Sequence, residues 1–103
     1  MKNLFITKED HLILTIILQP VPYEVLVFGS RIKGTHQKFS DLDLCLKSNK
    51  SVSLEDIAEL KERLRDSDLP FIVDIINYHD VSDGFKKIID RDGILFSDTK
   101  PAL

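Results

Sequence analysis

The sequence predicts one α/β domain over residues 1–103, with a mixed, twisted sheet and helices packed mainly on one face. Three observations favour this fold class. The chain has 103 residues, of which 43% are hydrophobic and 30% charged, the balance of an ordinary folded domain. Helix-like and strand-like patterns alternate in the order α, β, β, α, β, α. No internal repeat or low-complexity linker divides that order into two units.

The predicted helices begin at hydroxyl side chains. Thr7 and Ser53 are each followed by an aspartate three residues later, an arrangement typical of a capped helix start. Apolar residues then recur at helical spacing, and Pro20 ends the first of these runs. Ser82 is predicted to cap a last helix that ends near Gly93.

Short runs of β-branched and apolar residues predict the strands. Glu24–Phe28 indicates a buried strand, and the period-two alternation of residues 41–46 indicates a strand with two distinct faces. Residues 71–77 form a third strand pattern, and residues 94–96 a short terminal one. The last few residues are expected to fray.

Composition excludes several classes of protein. No apolar run approaches the roughly 20 residues of a membrane-spanning helix, and no signal peptide is visible, so a cytoplasmic protein without membrane contact is expected. The single cysteine, Cys45, excludes an internal disulfide and a zinc signature and is predicted to be a small buried thiol. A net charge of −3 argues against general nucleic-acid binding but not against binding one nucleotide.

Two motifs carry the predicted chemistry. Gly29 and Ser30 follow a buried strand, where glycine permits close backbone approach and helix-start amides bind anions. Arg31 is placed to touch phosphate or to lie on the surface. Asp41 and Asp43 begin the next strand, so both carboxylates are expected to project from one face. Asp74 stands within an apolar strand, where a carboxylate is costly unless it is paired or binds a metal.

Three hard oxygen ligands beside a phosphate-binding turn suit a Mg²⁺–nucleotide site. We expect two Mg²⁺ ions, with Mn²⁺ as a substitute, in an in-line displacement. In this prediction Asp41 and Asp43 hold the metals that grip the triphosphate, and Asp74 helps to deprotonate the acceptor hydroxyl. Ser30 and neighbouring amides hold the terminal phosphates, and pyrophosphate leaves.

The same motifs carry a resemblance. Gly29-Ser30, ten residues, then Asp41-x-Asp43 resembles the signature of the DNA polymerase β-like nucleotidyltransferases. The flanking sequence is similar to their minimal nucleotidyltransferase branch, and the similarity extends over most of the chain through residues 27–34, 40–44, 67–70, 73–76 and 85–89. The resemblance implies the polymerase β-like palm fold and transfer of AMP from ATP. It also implies a small all-helical HEPN-type partner, to which some members act as antitoxins by adenylylating it.

Two rival functions stay open. A non-catalytic nucleotide-binding module would neutralise or regulate the partner by contact alone. The intact set of Asp41, Asp43 and Asp74 argues against it, because unused buried carboxylates are destabilising. Transfer to a small hydroxyl compound, as in antibiotic-modifying relatives, needs a further helical domain that 103 residues do not accommodate. The base preference, the acceptor residue, the number of nucleotides transferred, the oligomeric state and the nature of the partner, toxin or substrate-binding subunit, are left open by the sequence.

Overall fold

A four-stranded mixed sheet organises the chain, which the computed structural model describes from Met1 to Leu103. The strands are β1 (Lys2–Leu4), β2 (Glu24–Phe28), β3 (Leu42–Lys47), β4 (Val73–Asn77), β5 (Ile94–Leu95) and β6 (Thr99–Pro101). The helices are α1 (Lys8–Leu18), α2 (Ser30–Lys33), α3 (Leu54–Arg65) and α4 (Asp83–Asp92). The main sheet has the order β4-β3-β2-β5, in which only β3 and β4 run parallel.

The predicted capping residues begin three of the four helices. Thr7 caps α1, Ser53 caps α3 and Ser82 caps α4, and each hydroxyl accepts a hydrogen bond from a backbone N–H three residues on. These bonds satisfy amides that have no partner within the helix. The helix starts were therefore correctly predicted from local sequence.

One face of the sheet carries the main hydrophobic core. Strand alternation turns Val25 and Val27 of β2, and Leu42, Leu44 and Leu46 of β3, to this face, where each is at most 9% exposed. Residues from α1, α2 and α3 pack against them in one cluster. The prediction that helices lie mainly on one face is confirmed, because α4 alone packs against the other.

Helix α4 covers only part of the opposite face. Phe85 packs edge-on against Phe28 of β2, with ring centroids 5.9 Å apart, and Asp90 forms an ion pair with Lys47 of β3 at 3.3 Å. The remaining part of this face, at the start of β3 and β4, stays open. No helix of the protein is long and apolar enough to cross a membrane.

The two ends of the chain are paired, which corrects the expectation of a frayed C-terminus. Strand β1 runs parallel to β6, with Leu4 opposite Pro101. The Ala102 amide donates to the Leu4 carbonyl at 2.9 Å, and the Leu103 amide to the Ile6 carbonyl at 3.1 Å. Leu4 and Ile6 are almost fully buried. The sequence prediction missed both strands because each has three residues and a partner more than 90 positions away.

Candidate active site

The three predicted carboxylates lie at one end of the open sheet face. Asp43 is the second residue of β3 and pairs in register with Asp74 of β4. Side chains of register partners project to the same face, and neighbouring strands lie about 4.8 Å apart. Since Leu42 and Leu44 point into the core, Asp43 and Asp74 must point away from it. Asp41 is the residue immediately before β3.

The charges of the three carboxylates interact. The pKa of Asp43 is raised, first because the half-buried carboxylate is partly removed from water and then because Asp74 and Asp41 are negatively charged. No lysine or arginine forms an ion pair with any of the three; the ion pairs of the protein all involve other acids. The site is therefore a cluster of like charges without an ion-pair partner, and the buried Arg31 is a basic residue whose charge interacts with Asp41.

Two expectations about these aspartates are corrected. Asp74 is exposed, not buried, because β4 begins at Val73 and lies at the edge of the sheet, with only Ile75 fully in the core. Asp41 is also exposed and lies outside the strand, which begins at Leu42. Its proximity to Asp43 therefore comes from the end of a loop and not from strand alternation.

The donor set fits a divalent cation in its chemistry. Carboxylate oxygens are the ligands that Mg²⁺ prefers, and the local excess of negative charge favours a cation. The structure does not gather three or more acidic, histidine or cysteine side chains around a common point. Because Asp41 and Asp74 are exposed, their side chains have room to adopt other rotamers.

A glycine permits Asp43 to take its position. Gly29 follows β2 with φ 83° and ψ −163°, a conformation that is essentially restricted to glycine. A Cβ atom at Gly29 would overlap the Oδ2 atom of Asp43. Ser30 then begins the four-residue helix α2, which ends at Gly34 in the left-handed conformation. The structure thus brings the predicted Gly29–Ser30 turn directly beside the carboxylates.

The Arg31 side chain forms hydrogen bonds to backbone carbonyls and does not face the open site. Its side chain is buried, with 4% of the residue exposed. The guanidinium donates through Nε to Ser40 O at 2.9 Å, through Nη1 to Phe5 O at 2.9 Å and through Nη2 to Lys38 O at 3.2 Å. Burial lowers the pKa of Arg31, while the charges of Asp10 and Asp41 act in the opposite direction.

These contacts bear on both readings of Arg31. A surface position is wrong because the residue is buried, and a phosphate contact would require the guanidinium to leave its three carbonyls. The guanidinium also lies over the ring of Phe71, 4.5 Å from its centroid. Phe71 was predicted only as part of a strand, because no local pattern around it predicts contact with an arginine 40 positions earlier.

Cys45, His36 and His11 contribute to packing away from the three aspartates. Cys45 is buried as predicted, and removal from water raises the pKa of its thiol to about 11. His36 stacks on Phe5 with centroids 5.5 Å apart. His11 is half-buried, hydrogen-bonds to Thr99 Oγ1 at 3.1 Å and stacks on Phe96. A cleft of about 880 Å³ is bordered by residues of α1, β2 and β5 and contains none of the three aspartates.

A mixed sheet that presents an Asp-x-Asp pair beside a glycine–serine turn defines a class of nucleotide-transferring domains. The chain belongs to the family described as Polymerase beta, Nucleotidyltransferase, whose profile matches residues 12–102. Within that superfamily it is a minimal nucleotidyltransferase.

Two proteins illustrate the similarity. The chain is 40% identical over 86 residues to a "Probable protein adenylyltransferase MntA" of Haemophilus influenzae, covering 82% of this chain and 75% of the relative. It superposes with a TM-score of 0.62 on a chain from a "Crystal structure of the toxin-antitoxin with AMP-PNP", covering 84% of this chain and 71% of that one. Identity to the second is 22%, so that likeness establishes the fold alone.

Proposed function

We propose that this protein is a Mg²⁺-dependent nucleotidyltransferase that moves AMP from ATP onto a hydroxyl of a small helical, HEPN-type partner protein, with an antitoxin-like effect. The observation that carries the proposal is a group of three carboxylates that forms no ion pair and whose central member, Asp43, lies beside the Gly29–Ser30 turn. The names of the two similar proteins support adenylyl transfer to a protein and a place in a toxin–antitoxin pair.

Each residue has a definite task in this proposal. Asp41, Asp43 and Asp74 would hold Mg²⁺, with Mn²⁺ as a substitute, and the bound ions would neutralise charge on the phosphates and on the entering and leaving oxygens. Ser30 and the backbone that follows Gly29 orient the β- and γ-phosphates at the start of α2.

The transfer reaction exchanges one phosphorus–oxygen bond for another. The acceptor oxygen forms a bond to the α-phosphorus, while the bond from that phosphorus to the bridging oxygen of the β-phosphate breaks. Pyrophosphate leaves with both bonding electrons. The carboxylate of Asp74, an exposed residue, can accept the hydroxyl proton and release it to water.

Labelled ATP tests the proposal. The protein is incubated with lysate of its source cell, Mg²⁺ and either α-labelled or γ-labelled ATP. We expect one partner band to be labelled from the α-phosphate only. Asp41→Asn should abolish that label, whereas Asp68→Asn, which changes an exposed aspartate away from the site, should retain it.

The same experiment distinguishes the rival function. If no nucleotide labels any protein while a partner still co-purifies with wild type and with Asp41→Asn, the protein acts by contact alone. Label transferred equally by wild type and Asp41→Asn would contradict the assignment of the carboxylates. Label from the γ-phosphate would indicate phosphoryl transfer instead of nucleotidyl transfer.

A further inference from the structure

We propose that Arg31 is a positioning residue for the transfer reaction, which fixes the loop before Asp41 and the segment before Asp74. The inference rests on the proposed function, since it assigns a role to a residue around that site. It replaces direct phosphate binding by Arg31. The evidence is the set of contacts that one buried guanidinium makes with separate parts of the chain.

The first of these parts is the loop of residues 35–41, which leads from α2 to β3. Arg31 donates to the carbonyls of Lys38 and Ser40, and Ser40 directly precedes Asp41. Within the loop, the Ser40 amide donates to Gln37 O at 3.1 Å, and the Gln37 amide donates to Ser40 Oγ at 2.7 Å. The loop has no strand or helix of its own; Arg31 ties it to the domain at two carbonyls, and His36 adds a stacking contact with Phe5.

The second part is the segment that enters β4. Phe71 lies against the guanidinium, three residues before Asp74. The Leu42 amide, next to Asp41, donates to Ile72 O at 2.9 Å. A shift of Phe71 or of the loop therefore moves both the backbone before Asp74 and the backbone between Asp41 and Asp43.

Only an arginine suits this arrangement. The guanidinium is planar, carries N–H donors along three directions and stacks on an aromatic ring, whereas a lysine ammonium is a compact charge on a flexible stem. The third contact, from Nη1 to Phe5 O, joins the same group to the chain that follows β1. A lysine at position 31 keeps the charge but cannot serve all three carbonyls and the ring.

The test measures the free protein first. Hydrogen exchange of the peptide that covers residues 35–42 is compared, without metal or nucleotide, in wild type, Arg31→Lys, Phe71→Leu and a control, Lys33→Gln. Lys33 is a second basic residue on α2, with 56% of its side chain exposed and an ion pair to Asp92. We expect exchange of that peptide to rise about tenfold in Arg31→Lys, because charge-assisted hydrogen bonds are lost, and to stay unchanged in Lys33→Gln.

The second measurement separates positioning from phosphate binding. Titration with Mn²⁺ alone should show an affinity about 10–100-fold weaker in Arg31→Lys and Phe71→Leu, the usual effect of disturbing the support of metal ligands. In the transfer assay kcat should fall by a similar factor while KM for ATP stays within about threefold. Phosphate binding by Arg31 predicts the reverse: raised KM for ATP, with loop exchange and Mn²⁺ affinity as in wild type.

Unchanged loop exchange and unchanged Mn²⁺ affinity in Arg31→Lys would overturn the inference. If Arg31→Lys does not fold, Phe71→Leu decides, because it removes the stacking and keeps every guanidinium hydrogen bond. If the wild-type protein transfers no nucleotide, the proposed function fails. The exchange and Mn²⁺ measurements still show whether Arg31 fixes the loop of residues 35–41. The two failures are thus distinguishable.

Discussion

Replacing Gly29 by alanine tests the geometry at the centre of the site. The residue has φ 83° and ψ −163°, which a side chain disfavours whatever space surrounds it. The added Cβ atom would also overlap Oδ2 of Asp43. Gly29→Ala therefore forces either the turn or the Asp43 side chain to move, and both changes displace a predicted metal ligand relative to Ser30.

The expected loss of stability follows from these two terms. Holding a residue other than glycine in this backbone region costs about 1–3 kcal/mol. Moving Asp43 away from its preferred rotamer adds about 0.5–1.5 kcal/mol. The sum, about 1.5–4.5 kcal/mol, corresponds to a decrease in Tm of roughly 6–36 °C for a domain of this size. Since a misplacement of about 1 Å can cost 100-fold in rate, transfer should fall by at least about that factor.

The assay is thermal unfolding by circular dichroism, followed by the labelled-ATP assay at a temperature where the variant is folded. Gly84→Ala is the matched control: Gly84 lies in α4, and a Cβ atom there meets nothing within 4 Å. That variant should gain about 0.4–1 kcal/mol and keep full activity. A Gly29→Ala protein that melts within about 3 °C of wild type would refute the backbone argument. Undiminished transfer by it would refute the placement of Asp43.

Three further predictions concern charge, the thiol and the chain end. Because the pKa of Asp43 is raised above its ordinary value of 3.8, the contribution of Asp43 to the stability of the metal-free protein should fall as pH rises through the range above that value. In urea unfolding, the stability of metal-free Asp43→Asn should fall less over the same pH range than that of wild type. A lower stability of this variant than of wild type at neutral pH, without metal, would contradict the direction of the Asp43 pKa shift. With its pKa at about 11, against 9.0 for an ordinary thiol, Cys45 has about 100-fold less thiolate, so iodoacetamide should label it in unfolded protein and leave native protein nearly unlabelled by mass spectrometry. Deleting residues 99–103 should lower the free energy of unfolding by about 2–4 kcal/mol, since β6 and its hydrogen bonds are lost; an unchanged urea midpoint would restore the expectation of a frayed end.

The elements predicted correctly are those with local causes. Glu24–Phe28 was predicted with its observed bounds, because five consecutive strand-forming residues end at a glycine. Thr7, Ser53 and Ser82 were identified as helix starts because a capping hydroxyl acts on an amide only three residues away. Such signals lie within the window that a sequence pattern covers.

The features that were missed depend on residues far apart in the chain. The buried face of α1 was not identifiable, because apolar residues surround the helix; Leu12 and Ile16 are 59% exposed while Leu14 is buried. Strands β1 and β6 exist only as a pair. The environment of Arg31 is assembled from Phe5, the loop before Asp41 and Phe71, which lie far apart in the chain. The residues next to Arg31 in the sequence therefore do not indicate that it is buried.

The exposure of the carboxylates changes the argument between an enzyme and a contact-only module. From the sequence, three buried carboxylates that bind no metal are expected to destabilise the fold. Water reaches Asp41 and Asp74, so that cost applies only to the half-buried Asp43. A stronger argument is the backbone at Gly29, which takes a conformation confined to glycine and thereby admits the Asp43 carboxylate beside the Ser30 turn. This arrangement suits a site for a metal–triphosphate group, and binding a partner through a distant surface does not require it. Nucleotide binding without transfer needs the same turn, so the labelled-ATP assay separates it from catalysis.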